Sequence, residues 1–143
     1  MSAAKLVVHT DILLAHLRGS DYPSVLRKAM GIFFCYTTVF QAIELFAVMR
    51  TAEERAHAED AMSAMKLLGL NPKNAALYGG LLAAHPRRRP MDLLVCGLCM
   101  ESRLPLLTGR RKDFEGMQGL TLVTPGMITA GKSAADILHE LGR

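Results

Sequence analysis

Tryptophan is absent, aromatic residues make up only 6% of the chain, and cysteines number three. So few thiols, in odd number, argue against a closed disulfide framework and for a reducing compartment, with the cytoplasm as the expected location. Long apolar runs are missing as well. The uncharged stretch Leu93 to Met100 falls far short of the roughly 20 residues a bilayer requires, so no membrane partner is expected. The N-terminal stretch lacks the charged-then-apolar layout of a secretory signal, because Asp11 interrupts it. No internal repeat, low-complexity tract or interdomain linker is visible.

What is present reads as one globular domain: 143 residues, half of them hydrophobic and 21% charged, enough to bury a core without staples. The net charge of +4 is compatible with a polyanionic partner. The placement of the cations says more. Arg87-Arg88-Arg89 and Arg110-Arg111-Lys112 each fall in a predicted loop beside an apolar element, where phosphates can reach them. A solvated charged loop explains either cluster equally well when it is taken alone.

Patterning predicts strands separated by helices. Lys5 to Val8 reads as a buried strand, and Ile12 to Leu17 as a helix with Asp11 as its N-cap and Gly19 at its end. Pro23 opens a second helix through Met30, closed by Gly31, before a β-forming run, Ile32 to Tyr36. Thr37 or Thr38 caps the next helix, which carries Phe40, Ile43, Leu45, Phe46 and Met49. Thr51 caps a longer helix with Glu53 and Glu54 at its positive end and a stripe of Ala61, Met62, Met65 and Leu68. Further helices run from Pro72 to Ala84, from Pro90 to Glu101 and from Lys132 to Leu141, with strands at Leu104 to Leu107 and Leu120 to Val123. Such alternation means crossover connections and a mostly parallel sheet covered on both faces.

Ligands of an open parallel sheet bind at the carboxyl ends of its strands, so polar residues there are the candidates. His9, Thr10 and Asp11 follow the first strand; Glu44 lies within an otherwise apolar helix after the second; Asp92 begins the helix after the arginine loop; Thr108 and Asp113 follow a later strand. An acid inside an apolar helix usually has a cation or a site to serve. Converging carboxylates repel unless a divalent cation neutralises them, and Mg2+ or Mn2+ suits such an oxygen-rich site. The alternatives are that Glu44 faces solvent or pairs with an arginine and that Asp92 only caps its helix.

Four segments together resemble the PIN family of metal-dependent ribonucleases, in VapC-like order from Lys5 to Val123. Lys5-Leu-Val-Val-His-Thr-Asp-Ile-Leu is similar to the family's opening strand, and Glu44-Leu45 to its second acid. Asp92-Leu-Leu-Val-Cys-Gly-Leu-Cys is similar to its Asp followed by aliphatic and small residues, and Leu106 through Phe114 to its closing strand, threonine and Asp-Phe turn. The resemblance implies a three-layer α/β/α sandwich over residues 1–125, with residues 126–143 as an appended turn and helix. It implies an Mg2+- or Mn2+-dependent endoribonuclease, commonly a toxin neutralised by a protein antitoxin and often a homodimer. On that pattern Glu44 and Asp92 are the main metal ligands and Asp11, Asp113 and His9 secondary ones, with Thr108 orienting water or phosphate. Arg87, Arg88, Arg89, Arg110, Arg111 and Lys112 would hold the RNA backbone. Two positions depart from the pattern: His9 stands where the family has its first Asp, and Arg110 where it often has Asp or Asn. Histidine can ligate manganese but suits magnesium poorly, and Arg110 can bring a cation of its own. The alternative function is a PIN-fold RNA- or protein-binding module without catalysis.

Other motifs carry less. Gly126 to Ser133 fits a P-loop pattern, but only ten residues follow Ser133, so a capped turn explains the same letters. Cys96 and Cys99 lie in an apolar helix at positions the family fills with alanine and read as small core residues. His139-Glu140 reads as a solvated face, and the nine methionines as adaptable packing.

Overall fold

The computed structural model describes residues 4–143. Strand β1 (Lys5–Val8) leads to α1 (Thr10–Arg18) and α2 (Val25–Ile32), then to β2 (Phe34–Thr38), α3 (Val39–Val48) and α4 (Ala52–Ser63). Strand β3 (Lys66–Leu68), a 3-10 turn (Pro72–Asn74), α5 (Ala75–Ala84) and α6 (Pro90–Ser102) follow. The remainder is β4 (Leu106–Leu107), α7 (Arg111–Phe114), β5 (Leu122–Val123), α8 (Pro125–Thr129) and α9 (Ala134–Glu140). Among the described residues no helix is long and apolar enough to cross a membrane.

The five strands pair in the order β3-β2-β1-β4-β5, every pair parallel, with Leu6 opposite Cys35 and Val8 opposite Leu107. Side chains alternate across the central strand. Leu6 and Val8 enter one apolar cluster with Leu13, Leu26, Leu45, Met62, Ile128 and Ile137, while Val7 enters the other with Tyr78, Leu93, Val95, Leu106 and Phe114. The sheet is therefore buried on both faces, the three-layer α/β/α arrangement expected. Each fully buried Leu or Phe contributes about 1.5–3 kcal/mol relative to exposure. Ile128 and Ile137 place α8 and α9 on the same core as β1, so the final helix packs on its own domain.

Several local expectations are corrected. The N-cap of α1 is His9, not Asp11, which sits inside the first turn. Helix α2 opens at Val25 with Ser24 as its cap, not at Pro23, Gly31 is helical, and β2 starts two residues later than the β-forming run. The predicted long helix stops at Ser63, and Lys66 to Leu68 form the edge strand β3 instead. Gly126 lies within α8, Ser133 caps α9, and Lys132 pairs with Glu140, so the P-loop pattern forms no phosphate cradle. The cysteines of α6 are buried, free thiols; burial pushes Cys96 up to about 12 and Cys99 higher still, as fits small core residues.

Candidate functional site

The chain leaves β2 for β3 on one side of β1, then crosses to β4 on the other. Strands β1 and β4 thus flank the point where the sheet's order reverses, and their carboxyl ends open a crevice there. Residues just past those ends, His9 after β1 and Thr108 after β4, are delivered to it by the register that sets Val8 opposite Leu107.

His9 is 2% exposed. Its Nδ1 lies 3.0 Å from Asp11 Oδ1 and 3.5 Å from the Asp11 N–H; a carboxylate can only accept, so the shorter contact favours a proton on Nδ1 over the longer capping contact. Its Nε2 lies 3.6 Å from Asp92 Oδ1; both atoms are buried and neither has a hydrogen-bond partner. The edge of Phe114 closes the ring's apolar side, with centroids 5.0 Å apart. Burial works against a charged imidazole here, but the hydrogen bond to Asp11 and the close negative charges of Asp92 and Asp11 outweigh it, and the His9 pKa is raised above its ordinary 6.5. An imidazolium wedged between two carboxylates is the charge state this geometry favours. Asp11 shows the converse: burial would raise its pKa, but bonds from His9, the Gly109 N–H (2.7 Å) and the Thr108 hydroxyl (3.1 Å) hold it below its ordinary 3.8.

Glu44 reaches the same crevice from α3. Its Oε1 accepts from the Thr10 hydroxyl at 2.9 Å, and its Oε2 lies 3.4 Å from the Arg89 guanidinium, which also approaches Asp92 Oδ2 at 4.0 Å. Arg89 joins the two acids loosely: its side chain is 54% exposed, and a solvated pair of this length contributes ~0–1 kcal/mol. His9, Thr10, Asp11, Leu14, Glu44, Ala47, Val48, Arg89 and Arg110 line a cleft of about 360 Å³.

The structure thus gathers His9, Asp11, Glu44, Asp92 and Thr108 around one crevice. Asp113 stands apart from them. It bonds Arg110 at 2.6 Å and lines an adjoining cleft with Gly109, Arg110, Arg111, Lys112 and Glu115. Arg88 turns inward, donating to the carbonyls of Asp113 and Glu115, and so anchors α7 instead of facing solvent with Arg87. Sequence reasoning placed Thr10 at the strand end without a role, and the structure gives it one, holding Glu44. It missed Phe114, which holds the His9 ring, and nothing local to Phe114 points at His9.

The acids do not fit Mg2+ or Mn2+ as arranged. Among the described residues no three ligating side chains converge on one point. The buried Nε2 and Asp92 Oδ1 face each other, Asp11 is filled by three donors, and Glu44 is taken by Thr10 and Arg89. Positive charge in this crevice comes from the chain itself.

Fold and crevice together define a parallel α/β/α protein with an acid-rich cleft at the switch point of its sheet. Solved structures share that fold. A chain of the DNA-bound VapBC complex from Salmonella typhimurium superposes with a TM-score of 0.73 at 17% identity, over 85% of this chain and 98% of that one. A chain of VapBC2 from Rickettsia felis, bound to a DNA fragment from its promoter, gives 0.71 at 15% identity, over 84% and 98%. One from VapBC-5 of Mycobacterium tuberculosis, a member of the VapBC family of toxin-antitoxin systems, gives 0.57 at 21%, over 85% and 98%. No protein-family model matches the chain, and no curated protein matches it. At these identities the likeness shows the fold, which is the PIN-type, VapC-like one.

Proposed function

We propose that this protein is a PIN-fold RNA-binding module that works with a protein antitoxin and holds RNA phosphates without a divalent cation. The observation that carries this reading is His9, buried between Asp11 and Asp92 and facing both carboxylates. His9 is not placed to act as a general acid or base, since Nε2 is buried and faces Asp92 instead of the cleft. Catalysis of RNA cleavage therefore has no identified actor, and binding is the activity the geometry supports.

Cations at the cleft mouth supply that activity. Arg89 is weakly tethered and largely exposed, so a phosphate can draw it from Glu44 at little cost. Arg110, Arg111 and Lys112 line the adjoining cleft, and Arg110 lines both clefts. The related folds come from toxin–antitoxin complexes, which supports a protein antitoxin as the partner here. A second copy is the further partner proposed: α5 carries no charge and exposes Leu77, while Tyr78, Leu81 and Leu82 pack on the core, so two such helices meet without repulsion.

Titrating single-stranded RNA in the presence of EDTA tests the reading. Wild type is expected to bind, with Arg89→Ala and Lys112→Ala each weakening it and lowering the salt-dependence slope by about one. RNA that binds equally weakly to wild type and both variants would remove this cleft from the function.

A further inference from the structure

At the amino ends of the strands, opposite the cleft, the sheet sets aromatic rings between lysines. Phe34 and Tyr36 lie two residues apart on β2 and so share a face, their rings tilted by 56° with centroids 5.2 Å apart. The register places Lys5 of β1 beside Phe34, and Lys66 of β3 beside Tyr36, on that same face. Farther along it, Val7, Tyr36 and Leu68 run into the core with Tyr78 and Leu93. Phe34 is left 48% exposed, and both lysines are exposed. The in-register positions of this face hold no carboxylate, and among the described residues neither lysine has an ion-pair partner.

We infer that Phe34 and its neighbours form a second contact for RNA, a platform where one unpaired base of a single strand stacks between Lys5 and Lys66. Every base offers an apolar face, and a half-open ring already backed by a second ring receives it with little further ordering. The two lysines, one on each side of β2, can reach the phosphates before and after that base. A paired base keeps both faces inside its own stack, so duplex RNA does not fit. A second copy of the chain fits worse as well, because two-fold pairing of this patch sets its lysines against each other. The platform is a separate site from the cleft of Arg89 and Arg110; in committing to RNA it rests on the reading of that cleft.

The chain has no tryptophan, so Phe34→Trp puts a single indole reporter on the platform and keeps an aromatic ring there. Titration in EDTA with single-stranded oligouridine of about 12 nucleotides is expected to quench that fluorescence. The same strand annealed to oligoadenosine, and inorganic polyphosphate, are expected to leave it unchanged. Phe34→Leu, apolar but without a ring, should bind the single strand about 5- to 150-fold more weakly than wild type. Lys5→Ala and Lys66→Ala should each lower the salt-dependence slope by about one. Fluorescence unmoved at saturating RNA overturns the platform, as does equal quenching by polyphosphate. Tighter binding of the DNA strand of the same sequence overturns the commitment to RNA. An emission shift without RNA, accompanied by a doubled mass in sedimentation, gives the face to a second copy and overturns it too. Should Phe34→Leu fail to fold, the double variant Lys5→Ala with Lys66→Ala, both at exposed positions, decides: affinity equal to wild type overturns the inference. The cleft is judged separately, since Arg89→Ala should weaken binding yet leave quenching at saturation intact. Quenching with no effect of Arg89→Ala would sink the cleft and keep the platform; the opposite pair of results would do the reverse.

Discussion

Wedged between Asp11 and Asp92, the His9 ring couples this protein's stability to pH. Its pKa is raised on folding, so the stabilisation is complete below its ordinary value of 6.5 and is lost as pH rises through the higher folded value. Asp11, lowered on folding, contributes above its ordinary 3.8 and loses that contribution as pH falls through the depressed value. The pair is therefore at full strength in mildly acidic solution. Thermal unfolding followed from about pH 6 to about pH 9 should show wild type losing more stability than His9→Gln, which has no charge to lose. Parallel curves would mean that the ring is neutral when folded. At this scale the sequence was partly legible. His9, Glu44 and Asp92 stand out because polar residues interrupt apolar elements. Their bonding does not, because Asp11 with Thr108 and Glu44 with Arg89 are separated by 97 and 45 positions and meet only through the sheet's crossover.

Helix α5 shows what periodicity conceals. Its sequence, Ala-Ala-Leu-Tyr-Gly-Gly-Leu-Leu-Ala-Ala, is apolar on every side, yet only Tyr78 is fully buried, with Leu81 and Leu82 partly so. That ring lies over Gly97 of α6, where an added Cβ would come within 2.3 Å of it, and its hydroxyl donates to Glu101 at 2.7 Å. Gly97 is thus needed for close approach, and Gly97→Ala should destabilise the fold by about 1–3 kcal/mol in denaturant unfolding; an unchanged midpoint would show that α5 can shift freely. A second test concerns α3, whose first turn is closed by reciprocal bonds between Thr38 and Gln41. Thr38→Ala should cost about 0.5–2 kcal/mol by the same measurement, and no loss would show that the cap is redundant. The edge strand β3 escaped the sequence because Met65 and Leu68 continue the apolar spacing of α4. Pairing with β2, at Tyr36 opposite Lys66, is a long-range gain that local propensity does not register.

For the whole molecule, the order of strands does most to set function. Putting β1 beside β4 creates the crevice, and strand ends deliver acids and chain cations into it together. The alternating apolar segments made the parallel sandwich readable, whereas the order β3-β2-β1-β4-β5 rests on pairings between distant segments. Assembly is tested at this scale as well. Leu77 of α5 is 64% exposed, and Leu77→Glu should turn a dimer into a monomer in sedimentation without altering the unfolding midpoint, whereas an unchanged mass would place α5 outside any interface. The central claim, that chain cations stand where a metal would, meets its most direct check in one incubation. Single-stranded RNA is held with wild-type protein in Mn2+ or in EDTA, and bound and intact fractions are measured. The account predicts equal retention and intact RNA under both conditions; cleavage that requires Mn2+ and disappears in Glu44→Gln would contradict it.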